Sequence, residues 1–169
     1  MNALRVVVVE DSLTVRKRLC EMLAAAQIEV VGEAENGKEA IGLILARRPD
    51  AISLDMMLPV MTGLAVTEYV MAHCPTPILI VSSSHNRGEL FKTYEALAAG
   101  ALDVMEKPIG DEADEAWAAR YVATLRLIAR IRVITHLRAR LKPHYGAAVG
   151  TRPATSIDWS ARPRDGPIN

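Results

Sequence analysis

The sequence predicts an α/β fold with one parallel five-stranded sheet covered by helices on both faces. Five short runs rich in Val, Ile and Leu are nearly continuous rather than alternating, as in strands buried on both sides. Segments with apolar residues at helical spacing separate these runs, so that strand and helix alternate in units of roughly 20 to 30 residues, the pattern of a right-handed βαβ series. Several of the runs end in charged or polar residues, which collects those side chains at the C-terminal edge of the sheet, where open α/β sheets bind ligands.

Residues 4–9, Leu4-Arg5-Val6-Val7-Val8-Val9, make the first strand and terminate in the acid pair Glu10-Asp11. Asp11 or Ser12 can cap the helix that follows. Its apolar positions Leu13, Val15, Leu19, Met22 and Leu23 repeat to about residue 26, leaving Arg16-Lys17-Arg18 largely on the wet side. A second strand fits residues 28–34. Asn36-Gly37 then signals a turn or cap before a helix over 38–48 with a stripe of Ala40, Ile41, Ile44 and Leu45. Pro49 closes that helix. Ala51-Ile52-Ser53-Leu54-Asp55, bounded by Pro49 and Pro59, is the third strand, and Thr62-Gly63 begins a helix running to about residue 73. Pro75-Thr76-Pro77 ends it. The fourth strand, 78–81, opens into a polar loop over 82–88; a helix over 89–99 stops at Gly100, and the fifth strand, 101–106, ends at Lys107-Pro108.

The chain has 169 residues, half of them apolar, which suffices for one core domain, assigned to 1–110, with material beyond it. Helical periodicity from 111 to about 142 predicts one extended C-terminal helix, roughly 46 Å long, the alternative being a helix that breaks near Arg130 and folds back. Trp117, Tyr121, Leu125 and Ile128 would pack on the domain, while Leu127, Ile131, Ile134, Leu137 and Leu141 continue a stripe fit for a second copy or a partner helix. Residues 143–169 hold four prolines and three glycines and read as a linker or tail. The first 110 residues carry 10 Lys/Arg against 14 Asp/Glu, and the rest 10 against 6. That basic C-terminal part leaves a nucleic-acid-binding regulator as a rival reading, although no recognisable DNA-reading unit accompanies it and nucleic acid is not the expected partner. Apolar runs fall well short of the roughly 18 residues of a membrane span, and no secretory signal is evident, so a cytoplasmic location and no membrane association are expected. Cys20 and Cys74 lie far apart and fit reduced thiols; the four histidines are dispersed and fit surface or cap roles.

The chemistry concentrates at one sheet edge. The first strand delivers Glu10 and Asp11, the third Asp55, the fourth Ser82 and the fifth Lys107. Three neighbouring carboxylates repel one another unless a cation sits among them, and an all-oxygen donor set favours a hard divalent ion such as Mg²⁺. A lysine and a hydroxyl opposite the acids complete a cradle for a tetrahedral oxyanion, the needs of phosphoryl transfer.

Val9-Glu10-Asp11-Ser12, Asp55 with Pro59 four residues on, Ser82, and Lys107-Pro108 together resemble the receiver domain of two-component response regulators, over residues 4–109. Pro77-Ile78-Leu79-Ile80-Val81-Ser82-Ser83 and Ala99-Gly100-Ala101-Leu102-Asp103-Val104 are most similar to the regulatory domain of the chemotaxis protein-glutamate methylesterase. The resemblance implies a flavodoxin-like sheet and Asp55 as phosphoacceptor from a histidine kinase or phosphotransfer protein. It further implies Mg²⁺ held by Asp11 and Asp55, by Glu10 through water and by the Met57 backbone carbonyl. Ser82 and Lys107 would engage the phosphoryl group, and a cis peptide would precede Pro108. Three departures stand out. Glu10 replaces the commoner Asp, and Val104 occupies the place of a Tyr or Phe that rotates on activation. No G-x-S-x-G-like nucleophile motif occurs, so the chain is expected to be a switch and not itself a methylesterase. A truncated regulatory half of such an esterase and a receiver that never takes phosphate stay open as alternatives.

Overall fold

The structure is a computed structural model that describes residues 2–83, 87–108 and 115–134. Five strands, β1 Arg5–Val9, β2 Glu29–Ala34, β3 Ala51–Leu54, β4 Ile78–Ser82 and β5 Asp103–Glu106, pair in parallel in the order β2-β1-β3-β4-β5. Between them run the helices α1 Leu13–Ala25, α2 Gly37–Arg47, α3 Gly63–His73 and α4 Arg87–Ala98, with α5 Glu115–Ile128 after the last strand. The expected parallel architecture is the observed one. Element ends differ from the sequence reading by one or two residues, as capping dictates: Ser12, Asn36 and Thr62 each accept a backbone N–H three residues on and so fix where α1, α2 and α3 begin.

Strand alternation divides the core in two. Val7, Val9, Ile52, Leu54, Ile78 and Ile80 face Ala40 and Ile44 of α2, Val66 and Val70 of α3 and Ala96 of α4. Val6, Val8, Leu79 and Val81 face Leu19 and Leu23 of α1 and Trp117, Tyr121, Leu125 and Ile128 of α5. Burial on both sides is why these strands are continuous apolar runs. Leu13 and Leu45, expected in the stripes of α1 and α2, are instead exposed.

Helix α5 is fixed by polar contacts inside this apolar surface. Trp117 Nε1 donates to the Glu106 carbonyl at 2.8 Å, the Tyr121 hydroxyl bonds Ser53 Oγ at 2.8 Å, and the two rings stack with centroids 5.2 Å apart. At its far end Arg126 donates to the Ala26 carbonyl. The helix stops at Ile128, and residues 129–134 are not helical, so the single extended helix over 111–142 is corrected for this stretch. Ile128 is the last residue of the stripe buried on this face, and Val133 packs instead on the core of the opposite face. Residues 111–114 and 135–142 of that helix, and the whole linker 143–169, lie outside the described residues.

The sheet has two edges, β2 and β5. In β2 the pairing with β1 slips between Val6 and Val7, which face Val30 and Gly32, leaving Val31 as an extra residue. Glu29 and Glu33 on β2, and Asp103 and Glu106 on β5, are exposed.

Candidate functional site

At the C-terminal ends of β1, β3, β4 and β5 the ladder continues one residue past the strands. Glu10 N bonds Ala34 O, Asp55 N bonds Val9 O, and Lys107 N bonds Ser82 O, at 2.9–3.0 Å. These bonds carry the sheet geometry into the polar residues, which explains how positions far apart in sequence converge. Lys107 Nζ lies 2.7 Å from Glu10 Oε2 and 3.0 Å from Asp55 Oδ2. Asp55 Oδ1 accepts from the Met57 amide at 3.2 Å, so both of its oxygens are engaged and its plane is set. Glu10 Oε1 accepts from the Ser12 amide, tying the acid to the start of α1.

Glu10 and Asp55 are almost wholly buried, with Asp11 exposed at the rim. Burial pushes the Glu10 carboxyl up from 4.5 to about 7, against the pull of Lys107 and with the Asp55 charge adding to the rise. Asp55 is likewise raised, by burial first, with Lys107 and the Met57 amide opposing. Burial lowers Lys107, but its pairing with Glu10 and the charge of Asp55 outweigh that and leave it raised. One ammonium thus serves two buried carboxylates.

The donor set fits a hard cation. Glu10, Asp11 and Asp55 each offer an oxygen, the three within 4.8 Å of one another. Glu10 Oε2 is buried without a hydrogen bond of good geometry, the ammonium being its ion-pair neighbour alone. A buried carboxylate oxygen met by a single ammonium, beside two further acids, is a donor that suits an oxygen-seeking divalent ion such as Mg²⁺.

All six residues singled out from the sequence lie at this edge. Ser82 is the buried last residue of β4, its carbonyl taking the Lys107 amide, and Met57 stands half exposed beside Asp55. The peptide before Pro108 is trans, as are all described peptide bonds, which corrects the expected cis form; trans is the ordinary preference of an X–Pro bond, and Lys107 reaches both acids with it. Helix α3 approaches so closely that a Cβ on Gly63 would collide with the Asp55 carbonyl oxygen, so this position requires glycine. Val60, in the loop between them, has φ 67°, a left-handed conformation that strains a β-branched residue.

Arg16 was placed in the solvated run of α1 by sequence, yet its side chain is only 12% exposed. Its Nη1 donates to the Glu10 carbonyl at 2.7 Å, and its Nε lies 3.4 Å from Glu33 Oε2. The available signal was its position four residues after the Ser12 cap, one helical turn from the acid pair.

Residues 6–115 match the response regulator receiver domain family. The chain is 37% identical over 159 residues to protein-glutamate methylesterase/protein-glutamine glutaminase 2 of Carboxydothermus hydrogenoformans, a match covering 92% of this chain and 45% of that protein. The chain spans less than half the length of such relatives. Among solved structures, the response regulator domain of Thermotoga maritima CheB superposes with TM-score 0.70 at 30% identity, covering 78% of this chain and 99% of that one. The signal receiver domain of the response regulator NarL from Mycobacterium tuberculosis gives 0.67 at 29%, covering 78% and 100%.

Proposed function

Because the chain belongs to the response regulator receiver domain family, we propose that it is a two-component signalling switch in which Asp55 accepts a phosphoryl group from the phosphohistidine of a histidine kinase or phosphotransfer protein. The observation that carries this reading is the buried Asp55 carboxylate, bonded by the Met57 amide on one oxygen and Lys107 on the other, beside two further acids. A carboxylate oxygen of Asp55 attacks phosphorus, the P–O bond forms as the P–N bond breaks, and the leaving imidazole keeps the electron pair and takes up a proton. Glu10, Asp11, Asp55 and the Met57 carbonyl would hold Mg²⁺, which when bound neutralises charge on the transferring phosphoryl oxygens.

The acyl phosphate carries about −1.5 to −2 of charge where the free carboxylate carried −1, and moves it onto three outer oxygens next to Lys107. The ammonium then exchanges its pairing with the carboxylates for the phosphoryl oxygens, and the Ser82 hydroxyl hydrogen-bonds the same group. The end of β4 and the segment after it shift between two populations. With Val104 where an aromatic rotor is common, this change is read at Ser82 and near the exposed Tyr94 rather than at position 104. A cytoplasmic setting suits the phosphodonor.

Incubation with a small-molecule phosphodonor tests the proposal. Wild type is expected to incorporate phosphate with Mg²⁺ and not with EDTA, and Asp55→Asn not at all. Labelling of Asp55→Asn, or labelling of wild type that ignores Mg²⁺, would overturn it. The names of the matched relatives favour a second, finer reading: that this receiver serves as the regulatory half of a protein-glutamate methylesterase. The length of the encoding reading frame tests it, and a frame closing without an esterase domain would end it.

A further inference from the structure

We propose that Arg16 is a positioning residue for the acidic site, holding the turn that presents Glu10 and Asp11 through a clamp across β1, α1 and β2. This inference rests on reading the site as a Mg²⁺-dependent phosphoacceptor centre.

The placement follows from helix geometry. Arg16 sits one turn into α1, its amide bonding Ser12 O at 2.8 Å, and long helical side chains lean toward the helix N-terminus. That direction leads back to the turn between β1 and α1. There Nη1 meets the Glu10 carbonyl at 2.7 Å while Nε faces Glu33 of β2 at 3.4 Å. A guanidinium is a planar fork with fixed donor directions, so its alignment by Glu33 also aims Nη1. The Arg side chain is 12% exposed and the Glu33 side chain 49%, so the carbonyl receives a charge-assisted bond partly sheltered from water while the countercharge remains at the surface.

The carbonyl in question belongs to the peptide joining the two acids. That peptide sets ψ of Glu10 and φ of Asp11, so a bond that holds its plane fixes how the chain turns from the buried Glu10 to the exposed Asp11. Glu10 is already tied through its amide to Ala34 and through its carboxylate to Ser12 and Lys107. Arg16 adds the bond that fixes the plane leading into Asp11. Its charge is matched by Glu33, so the contribution is geometric: it keeps oxygens from two adjacent residues converging on one point. Groups that orient metal-binding residues from behind carry about 10- to 100-fold in metal affinity.

The test titrates Mg²⁺ into the full-length chain by calorimetry, and separately measures phosphorylation by a small-molecule phosphodonor across Mg²⁺ concentrations, at a temperature where every variant is folded. Arg16→Gln is expected to raise the half-saturating Mg²⁺ concentration about tenfold in both measurements. Its phosphorylation rate at saturating Mg²⁺ should stay within about twofold of wild type, and Arg16→Lys should recover part of the affinity by supplying one donor. Wild-type half-saturation in Arg16→Gln, even with a lowered Tm in EDTA, would show a clamp that serves stability alone and overturn the proposal. Should Arg16→Gln fail to fold, Glu33→Gln carries the test: a rise of about threefold supports the clamp, and no change overturns it. Failure of wild type itself to take up Mg²⁺ would overturn the phosphoacceptor reading as well, which separates that outcome from a defect confined to position 16.

Discussion

Glu10 is the most deeply buried acid of the site, and its carboxyl titrates near 7 in the folded chain against an ordinary 4.5. The folded state therefore holds this proton more tightly than the unfolded one. Stability from this group is fully present below about pH 4.5 and is lost as pH rises through 7; the shift bounds the loss at about 3 kcal/mol. The Tm of metal-free protein should fall between pH 5 and 8, and Glu10→Gln should flatten the fall. A wild-type Tm that climbs over that range would contradict the assignment. Lys107 is the sole cation paired with both buried acids among the described ion pairs. Lys107→Ala should cost more at pH 8, where the carboxylates are stranded as anions, than at pH 5, where Glu10 can take a proton. Chemical denaturation of the variant at the two pH values checks the sign. At this scale the sequence was most informative about residues whose chemistry is costly to misplace: three acids and a lysine ending apolar strands have few structural uses. It was least informative about Arg16, because a basic run on an amphipathic helix has the same pattern whether its members are solvated or fold back onto a carbonyl.

Among the elements, α5 shows what periodicity reports and what it leaves open. Trp117, Tyr121, Leu125 and Ile128 were assigned to the inner face and are buried there, whereas Leu127 is 63% exposed. Leu125→Ala should cost about 2–5 kcal/mol through the cavity it leaves, and Leu127→Ala no more than about 0.5 kcal/mol. Equal losses in urea unfolding would mean that the helix face is misassigned. Tyr121→Phe should cost about 1–2 kcal/mol by stranding the buried Ser53 hydroxyl. The apolar repeat ran on through Ile131 and Ile134, yet the helix ended at Ile128 and those two side chains are exposed. Spacing identifies the face that packs, but the extent of the surface it packs on is a property of the other strands. The strained Val60 is also an element-level feature: Val60→Asn, better suited to positive φ, should stabilise by about 1 kcal/mol if the loop is otherwise indifferent to that side chain.

Across the whole molecule, the proposed ion binding would be linked to folding, since the acids converge only when β1 and β3 are paired. Mg²⁺ at 100 times its dissociation constant should raise stability by about 2.7 kcal/mol, seen as an upward shift in Tm that Asp55→Asn lacks. The five strands and their parallel pairing were legible because each strand is short, continuous and bounded by proline, glycine or charge; the trans bond at Pro108 was not, since an X–Pro bond admits either isomer and the residue type alone does not choose. The edges of the sheet have a consequence for life in a concentrated solution. A bare strand edge is a template on which another chain can add a strand, the first step toward aggregates. Here β2 meets any newcomer with Glu29, Glu33 and an irregular register, and β5 with Asp103 and Glu106. Two copies approaching through β5 would set acid against acid, so Asp103 and Glu106, which have no part in the acidic centre, are placed to oppose that pairing. Replacing Asp103 and Glu106 together by Thr should leave the fold intact and raise light scattering on prolonged incubation, and scattering no different from wild type would show that this edge is guarded by something else.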